Sequence, residues 1–558
     1  MEGNGSLFVN YVCMNFDNAQ QARKKNNPST MKKILYLILV GLLMASATTL
    51  SAKRPKFGAT SATTPTKGEF RGTWIQTAFQ DRYMRLKPDE CKAYMKQMIE
   101  TLADAGFNAV LFQVRPEGDA FYQSALEPWS RFLTGKQGVA PAPLWDPLAY
   151  LITLCHQHQM EFHAWINPYR MTASKFTIVA DNHLYRQHPE WFVRYEDRLY
   201  LNPALPECRT HVREVVKDIV TRYDVDAIHI DDYFYPYPVP GKTFDDRQAF
   251  ETYAPVMKID MADADALGNF RRRSVSILMK SLHDDIRDIK PWVRFGISPF
   301  GIYRNASADY PEGSATQGTQ CYNDLYADIL QWARNGWIDY VIPQLYWEIG
   351  HPVADYTTLV RWWNDHVPAT CHLYIGQSIE RSLDDPKEHR PTPDLTLKHS
   401  HFSNKLNQAA EGKNIRGNCF WYAYQVVENQ YHVRDFLLAD AFRQPTVAPA
   451  FTQLDAVAPE KVQHLNIGMT QQGLRVSWQY VVTDDPMQRP RYFCVYKFRK
   501  GEKVDVSDCS HLLMRTAHTS FTDADYTRSR QYTYVVTSVD AVGNESVPVK
   551  KSFKVKIR

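Results

Sequence analysis

The sequence predicts an α/β fold, a (β/α)8 TIM barrel followed by a small all-β sandwich. Strand-like and helix-like segments alternate eight times between Arg71 and Phe442, the signature of strands paired in parallel through helical crossovers. After a Pro/Ala/Thr-rich stretch, short alternating runs replace the helices. Composition agrees: of 558 residues, 44% are hydrophobic and 23% charged, which excludes a disordered chain, and mean hydropathy is −0.44. Nine cysteines are too sparse for a disulfide-stapled scaffold. A doubly wound open sheet is the alternative to the barrel.

The first segment is an address. Met31-Lys32-Lys33 precedes an apolar run from Ile34 to Met44, then small residues at Ala45-Ser46-Ala47 and Ser51-Ala52. A basic start, an apolar centre and small residues describe a secretory signal peptide over residues 31–52, cut after Ala47 or Ala52. The run is short for a bilayer span, so no integral membrane span is expected after cleavage; an uncut signal-anchor is the alternative. Residues 1–30 read as an upstream extension from a mis-assigned start. The expectation is a bacterial periplasmic or secreted protein, with residues 53–67 as a linker.

The barrel is expected over residues 68–443. Its strands are placed at Arg71–Gln76, Ala109–Val114, Phe162–Ile166, Ala227–Asp231, Arg294–Ser298, Tyr340–Leu345, His372–Gly376 and Asn418–Trp421. Helices are placed at Pro88–Ala105, Pro147–His158, Pro206–Tyr223, Leu267–Ile289, Tyr322–Asn335, Tyr356–Val367, Asn404–Gly412 and Glu428–Phe442. Strand side chains alternate with period two. Val110, Phe112 and Val114 oppose Leu111, Gln113 and Arg115; Ile228 and Ile230 oppose His229 and Asp231. One face suits a helical shell. The other turns polar toward the C-terminal end, where barrel enzymes keep their chemistry. Residues 444–460 read as a linker. Residues 461–558 read as the sandwich, with strands at His464–Met469, Leu474–Trp478, Tyr492–Phe498 and Tyr532–Val539 and with Trp478 in its core.

Charge excludes one class of partner. Removing residues 1–52 leaves 60 bases against 59 acids, so no basic footprint for nucleic acid remains. The eight remaining cysteines are scattered without a CxxC, and His156 and His158 face different ways on their helix. No metal site is expected. Cys494 and Cys509 could pair, but buried thiols suit them better. Nucleotide loops and a GxSxG elbow are absent. The sequence carries no signal for an oligomeric state.

The polar strand ends carry the chemistry. Asp231-Asp232 closes the fourth strand, with Asp231 on the inward face and Asp232 at the turn. Gln113, Arg115 and Glu117 close the second strand; Asn167 and Tyr169 close the third; Tyr233 follows the carboxylates. Ser298 closes the fifth strand, and Gln344, Tyr346 and Trp347 the sixth, with Glu348 a further acid. Carboxylates ringed by aromatics and amides are the inventory of a glycoside hydrolase, where one carboxyl protonates the leaving oxygen and another attacks or activates water. Asp231 and Asp232 are the expected catalytic carboxylates, with Glu117 a third candidate. Gln113, Arg115, Asn167, Tyr169, Tyr233, Ser298, Gln344, Tyr346 and Trp347 are the expected substrate contacts. Bland readings stand beside these: a loop salt bridge from Arg115 to Glu117 or Asp119, a turn role for Asn167, a core role for one of Tyr346 and Trp347. No cofactor is expected, since two carboxyls suffice.

Seven stretches in this order resemble the glycosyl-hydrolase-like 10 family of bacterial envelope proteins. They are Arg71-Gly72-Thr73-Trp74, Phe112–Gly118, Glu127-Pro128-Trp129-Ser130 with Thr134-Gly135-Lys136, His163–Arg170, Asp231–Tyr235, Phe295–Pro299 and Pro343–Trp347. The resemblance implies a barrel hydrolase of glycan strands. It further implies, as a substrate, peptidoglycan strands stripped of stem peptides and cut between N-acetylmuramic acid and N-acetylglucosamine. Glu117 stands where many relatives have Asp, one methylene longer. A different extracellular polysaccharide is the alternative substrate, and a non-catalytic glycan-binding barrel the alternative class. The last strands, Tyr532 through Ser546, resemble a fibronectin type III module, with a spacer role favoured over glycan binding.

Overall fold

The computed structural model describes residues 67–382, 384–385, 390–391, 394–527 and 530–554. The expectations for residues 1–30, the signal segment 31–52 and residues 53–66 lie outside them.

Eight parallel strands close into a barrel: β1 (Phe70–Ile75), β2 (Ala109–Arg115), β3 (Glu161–Ile166), β4 (Ala227–Ile230), β5 (Arg294–Ile297), β6 (Tyr340–Val341), β7 (His372–Ser378) and β8 (Ile415–Trp421). Closure is made by β1 pairing with β8, Phe70 beside Gly417 through Thr73 beside Phe420, so the open sheet is excluded. β6 is regular for only two residues. Pro343 has no N–H to give the ladder, yet bridges from Gln344 to Phe300 and Gly376 hold the chain in register to the expected end.

The crossover helices are α1 (Pro88–Asp104), α2 (Pro147–Gln157), α3 (Pro206–Arg222), α4 (Ala266–Ile289), α5 (Ile329–Arg334), α6 (Tyr356–His366), α7 (Leu395–Glu411) and α8 (Val433–Ala439). Three depart from expectation, each for a local reason. α5 starts late because Tyr326 has φ 54° and Asp328 caps the helix by accepting from Gln331 N. α7 starts early because Asp394 accepts from the N–H groups of Thr396 and Leu397. α8 is shortened by positive φ at Asn429, Tyr431 and His432.

The two strand faces build two cores. Val110, Phe112, Phe162, Ala164, Ile228 and Ile230 pack outward against the helices. Leu111, Trp165, Tyr340, Ile342 and Tyr374 fill the lumen. This is the division that period two predicted.

The C-terminal part is a sandwich of β9 (Gln463–Thr470), β10 (Gly473–Gln479), β11 (Tyr492–Arg499), β12 (Leu512–Thr516), β13 (Ser520–Asp523), β14 (Tyr532–Val539) and β15 (Val549–Phe553). One antiparallel sheet runs β9-β10-β13 and the other β12-β11-β14-β15, with Trp478 buried between them. Residues 444–460, expected as a linker, are partly core. Val447, Ala448 and Phe451 are buried, and Phe451 joins Val542 in the lumen cluster at the N-terminal end of the strands. Its ring stacks on His372 at 3.9 Å and lies 5.0 Å from the Arg294 guanidinium. Arg491 grips Asp224 with two hydrogen bonds. The sandwich therefore stoppers the barrel at the end away from the polar strand tips. All eight described cysteines are free and buried, Cys494 and Cys509 included. No described helix is long and apolar enough to cross a membrane.

Candidate active site

A cleft of about 610 Å³ opens at the C-terminal ends of the strands. Four tryptophans line it: Trp347 from the loop after β6, and one from each of three strands, Trp74 from β1, Trp165 from β3 and Trp421 from β8. Trp421 sits edge-on to each of the other two strand tryptophans at 6.2 Å. Tyr237, Phe300 and Trp347 form an aromatic wall, in edge contacts of 5.8 and 5.4 Å. Flat apolar rings with polar groups between them suit the alternating faces of a sugar.

Asp231 and Asp232 lie in this cleft, both almost fully enclosed. Burial raises the pKa of Asp231, and the neighbouring Asp232 charge raises it further, to about 7. Arg170 and the Tyr233 N–H pull the other way. The Trp165 indole N–H also leans on Asp231 without reaching hydrogen-bond geometry. Asp232 is raised as well, chiefly by burial, against hydrogen bonds from Tyr237 and Gln344. Adjacent carboxyls in a dry site cannot both ionise cheaply, so the pair retains one proton toward neutral pH.

Asn167 serves the pair. Its Nδ2 donates to Asp231 Oδ1 at 3.2 Å, while its own Oδ1 accepts from Arg170 N at 2.8 Å. Both ends of the amide are engaged, so it orients the carboxyl and does not line the cleft. Tyr233, Ser298, Gln344, Tyr346 and Trp347 do line it. Arg170 stacks on the Tyr233 ring at 4.4 Å, which brings its charge to the carboxyl pair.

Five residues singled out from the sequence lie elsewhere. Glu117 is fully buried behind the barrel mouth. Arg131 donates to it twice, at 2.6 and 3.0 Å, and Thr177 Oγ1 donates at 2.9 Å. A carboxylate engaged in this way ties the loop after β3 to the loop after β2 and has no access to the cleft. Arg115 does form a loop salt bridge, but with Glu127. Burial pushes Glu127 up, and Arg115 with His211 more than offsets it, leaving the carboxyl well below its usual range. Gln113 is buried, its Oε1 accepting from the N–H groups of Thr77 and Ala78 at 3.0 and 2.9 Å. Tyr169 is buried in the outer core. Glu348 does not line the cleft either.

Sequence reading left out Trp74, Trp165, Tyr237, Phe300, Ser378, Glu380, Arg381 and Trp421 as contacts. Trp165 shares the inward period of β3 with Asn167, so alternation alone points to it. Glu380 and Arg381 follow β7 in a short helix, Ile379–Ser382. The sequence pattern ends that strand at Gly376, two residues short of Ser378, which hides them. Among the described residues no group of three or more His, Cys, Asp or Glu side chains is placed to hold a metal ion.

Comparison with known proteins agrees with this geometry. A family model described as "Glycosyl hydrolase-like 10" matches residues 69–392. "Glycosyl hydrolase YngK" of Bacillus subtilis (strain 168) is 34% identical over 501 residues, covering 87% of this chain and 93% of its own. "Glycosyl hydrolase DigH" of Escherichia coli (strain K12) is 32% identical over 378 residues, covering 63% of this chain and 84% of its own.

Proposed function

The chain belongs to the glycosyl hydrolase-like 10 family and is a glycoside hydrolase; from that premise we propose that it cuts bacterial peptidoglycan strands lacking stem peptides, using Asp231 and Asp232. The observation that carries the chemistry is a carboxyl held protonated toward neutral pH beside a second carboxyl, in an aromatic-lined cleft at the strand ends. Asp231 donates its proton to the leaving glycosidic oxygen. Asp232, held by Tyr237 and Gln344, attacks the anomeric carbon or draws the proton from a water. Asn167 and Arg170 hold the pair in place and keep its charge tolerable.

Two features support the substrate. The family resemblance is to envelope proteins, and the signal-like segment Met31–Ala52 is in keeping with export to the periplasm or outside the cell. In addition, Arg381 is the cation of the cleft lining among the described residues. Removing a stem peptide from N-acetylmuramic acid frees a lactyl carboxylate, which a guanidinium pairs well. The sandwich we read as a fibronectin type III-like spacer; its three-plus-four strand arrangement supports that reading.

The deciding experiment is mass spectrometry of soluble products after incubating residues 53–558 with peptidoglycan strands, with and without amidase removal of stem peptides. Disaccharide-based fragments only after amidase treatment are the expected result. No products from either, with folded protein, points to a different polysaccharide. Wild-type turnover in both Asp231→Asn and Asp232→Asn overturns the carboxylate assignment.

A further inference from the structure

We propose that Ser298 selects for a hydrogen-bond donor on the bound sugar, a hydroxyl or an acetamido N–H, because a one-way chain of buried hydrogen bonds commits its own proton to His229. The inference rests on the glycan reading of the cleft and adds to it which kind of sugar group this position accepts.

The chain runs the length of the barrel lumen. Ser298 Oγ lies 2.8 Å from His229 Nε2. His229 Nδ1 is 3.1 Å from the Tyr340 hydroxyl, which is 2.8 Å from His163 Nδ1. His163 Nε2 is 3.0 Å from a carboxylate oxygen of Glu161, whose other oxygen pairs with Arg294 at 2.9 Å. Ser298, His229, Tyr340 and His163 are all buried.

Its direction is forced from both ends. At the lower end an Arg-paired carboxylate accepts only, so His163 donates from Nε2. Burial holds both imidazoles below their ordinary pKa, so each carries a single proton. His163 Nδ1 must then accept, and Tyr340 O–H must give its proton to it. The Tyr340 oxygen is left to accept from His229 Nδ1–H. That makes His229 Nε2 an acceptor. At the upper end the same result arises independently. The Trp74 indole, which only donates, points its Nε1–H at His229 Nε2 from 3.3 Å. Ser298 therefore donates to His229, and only lone pairs remain for the cleft.

Gln344 repeats this polarity beside it. Its Nε2 donates to the Ser298 carbonyl at 3.0 Å and also stabilises the Asp232 carboxylate. That turns its Nε2 toward these two acceptors and leaves its oxygen as the end that can accept from the ligand. Asp231 sits next to Ser298 across paired strands, since Ser298 N donates to the carbonyl of Ile230. The acceptor pair is thus at the reacting end of the cleft. Ser298 contacts substrate in this reading; His229, Tyr340 and His163 are positioning residues that act through it.

The polarity is read directly by NMR of the full chain carrying 15N-labelled histidine, with signals assigned through His163→Gln and Tyr340→Phe. The expected result is neutral His229 protonated on Nδ1 and neutral His163 protonated on Nε2. A proton on His229 Nε2 overturns the proposal. Selection is read by calorimetric titration with the N-acetylglucosamine disaccharide and its single-position deoxy and deoxyfluoro analogues, since fluorine accepts and never donates. At one ring position both replacements should weaken binding about tenfold, fluorine doing no better than hydrogen. Ser298→Ala should erase that loss. Fluorine tolerated as well as hydroxyl at the Ser298-dependent position overturns the selection. A parent disaccharide that fails to bind counts against the glycan reading, while the histidine protons still decide the polarity.

Discussion

Asp231 is kept neutral by two effects that act on charge alone, enclosure and the carboxyl of Asp232 beside it. A general acid of this kind gives activity that falls as pH rises through about 7, and Asp231→Asn should cost roughly 10²–10⁴ in kcat. A pH–rate profile on denuded strands checks both. The same shift bears on stability. The folded pKa is raised above the unfolded value, so this contribution is fully present below about pH 4 and is lost as pH rises through about 7. Asp231→Asn should therefore be more stable than wild type at pH 8, by on the order of 2 kcal/mol, and nearly equal to it at pH 4. Urea titrations at the two pH values test the sign. Asp231 was legible in the sequence because period two and the strand end together place it in the mouth. Glu117 was not separable from it by the same reasoning. Its partner Arg131 lies fourteen residues on in the same connection and Thr177 on the loop after β3, and nothing local says whether an acid after a strand faces ligand or an arginine.

At the scale of elements, the cleft lining is made by strand ends arriving from different parts of the chain. β1, β3 and β8 each bring one tryptophan, and their edge contacts set the cleft surface before any ligand arrives. Trp421→Ala removes the ring that touches both others. It should raise KM several-fold to tenfold, about 1–1.5 kcal/mol, with a smaller effect on kcat, because stacking acts on substrate and transition state alike. Steady-state kinetics that lowered kcat and left KM unchanged would refute that role. The eight strands were legible because alternation is a local property. Helix starts were less so. α7 was missed by nine residues because its cap, Asp394, precedes a segment of mixed polarity with no clear apolar period. The Glu380-Arg381 turn was lost for a related reason: a strand end cannot be fixed to within two residues from pattern alone.

For the whole molecule, the barrel and sandwich share a core, and Phe451 is where they share it. A barrel with an open lower end would expose Tyr340, Tyr374 and the Arg294–Glu161 pair to water. Phe451 and Val542 cover that end, with the Phe451 N–H donating to the Val542 carbonyl at 2.8 Å. The composition of the stretch is that of a linker: Pro, Ala and Thr surround a single phenylalanine, and sequence cannot show that this ring has a socket. Phe451→Ala leaves a cavity against His372 and Arg294 and should cost about 3–5 kcal/mol. The loss should appear as one cooperative transition seen by tryptophan fluorescence, which reports mainly on the barrel, and by far-ultraviolet dichroism of the whole chain. Two separated transitions, with the barrel's midpoint unmoved, would mean that the sandwich is only tethered. The cleft lies at the opposite end of the strands, so the pH limb set by Asp231 should stay where it is in Phe451→Ala at temperatures below its melting. A shift of that limb would point to the lumen chain from Glu161 to Ser298 as the transmitter, since it is a continuous hydrogen-bonded path between the stoppered end and the reacting one.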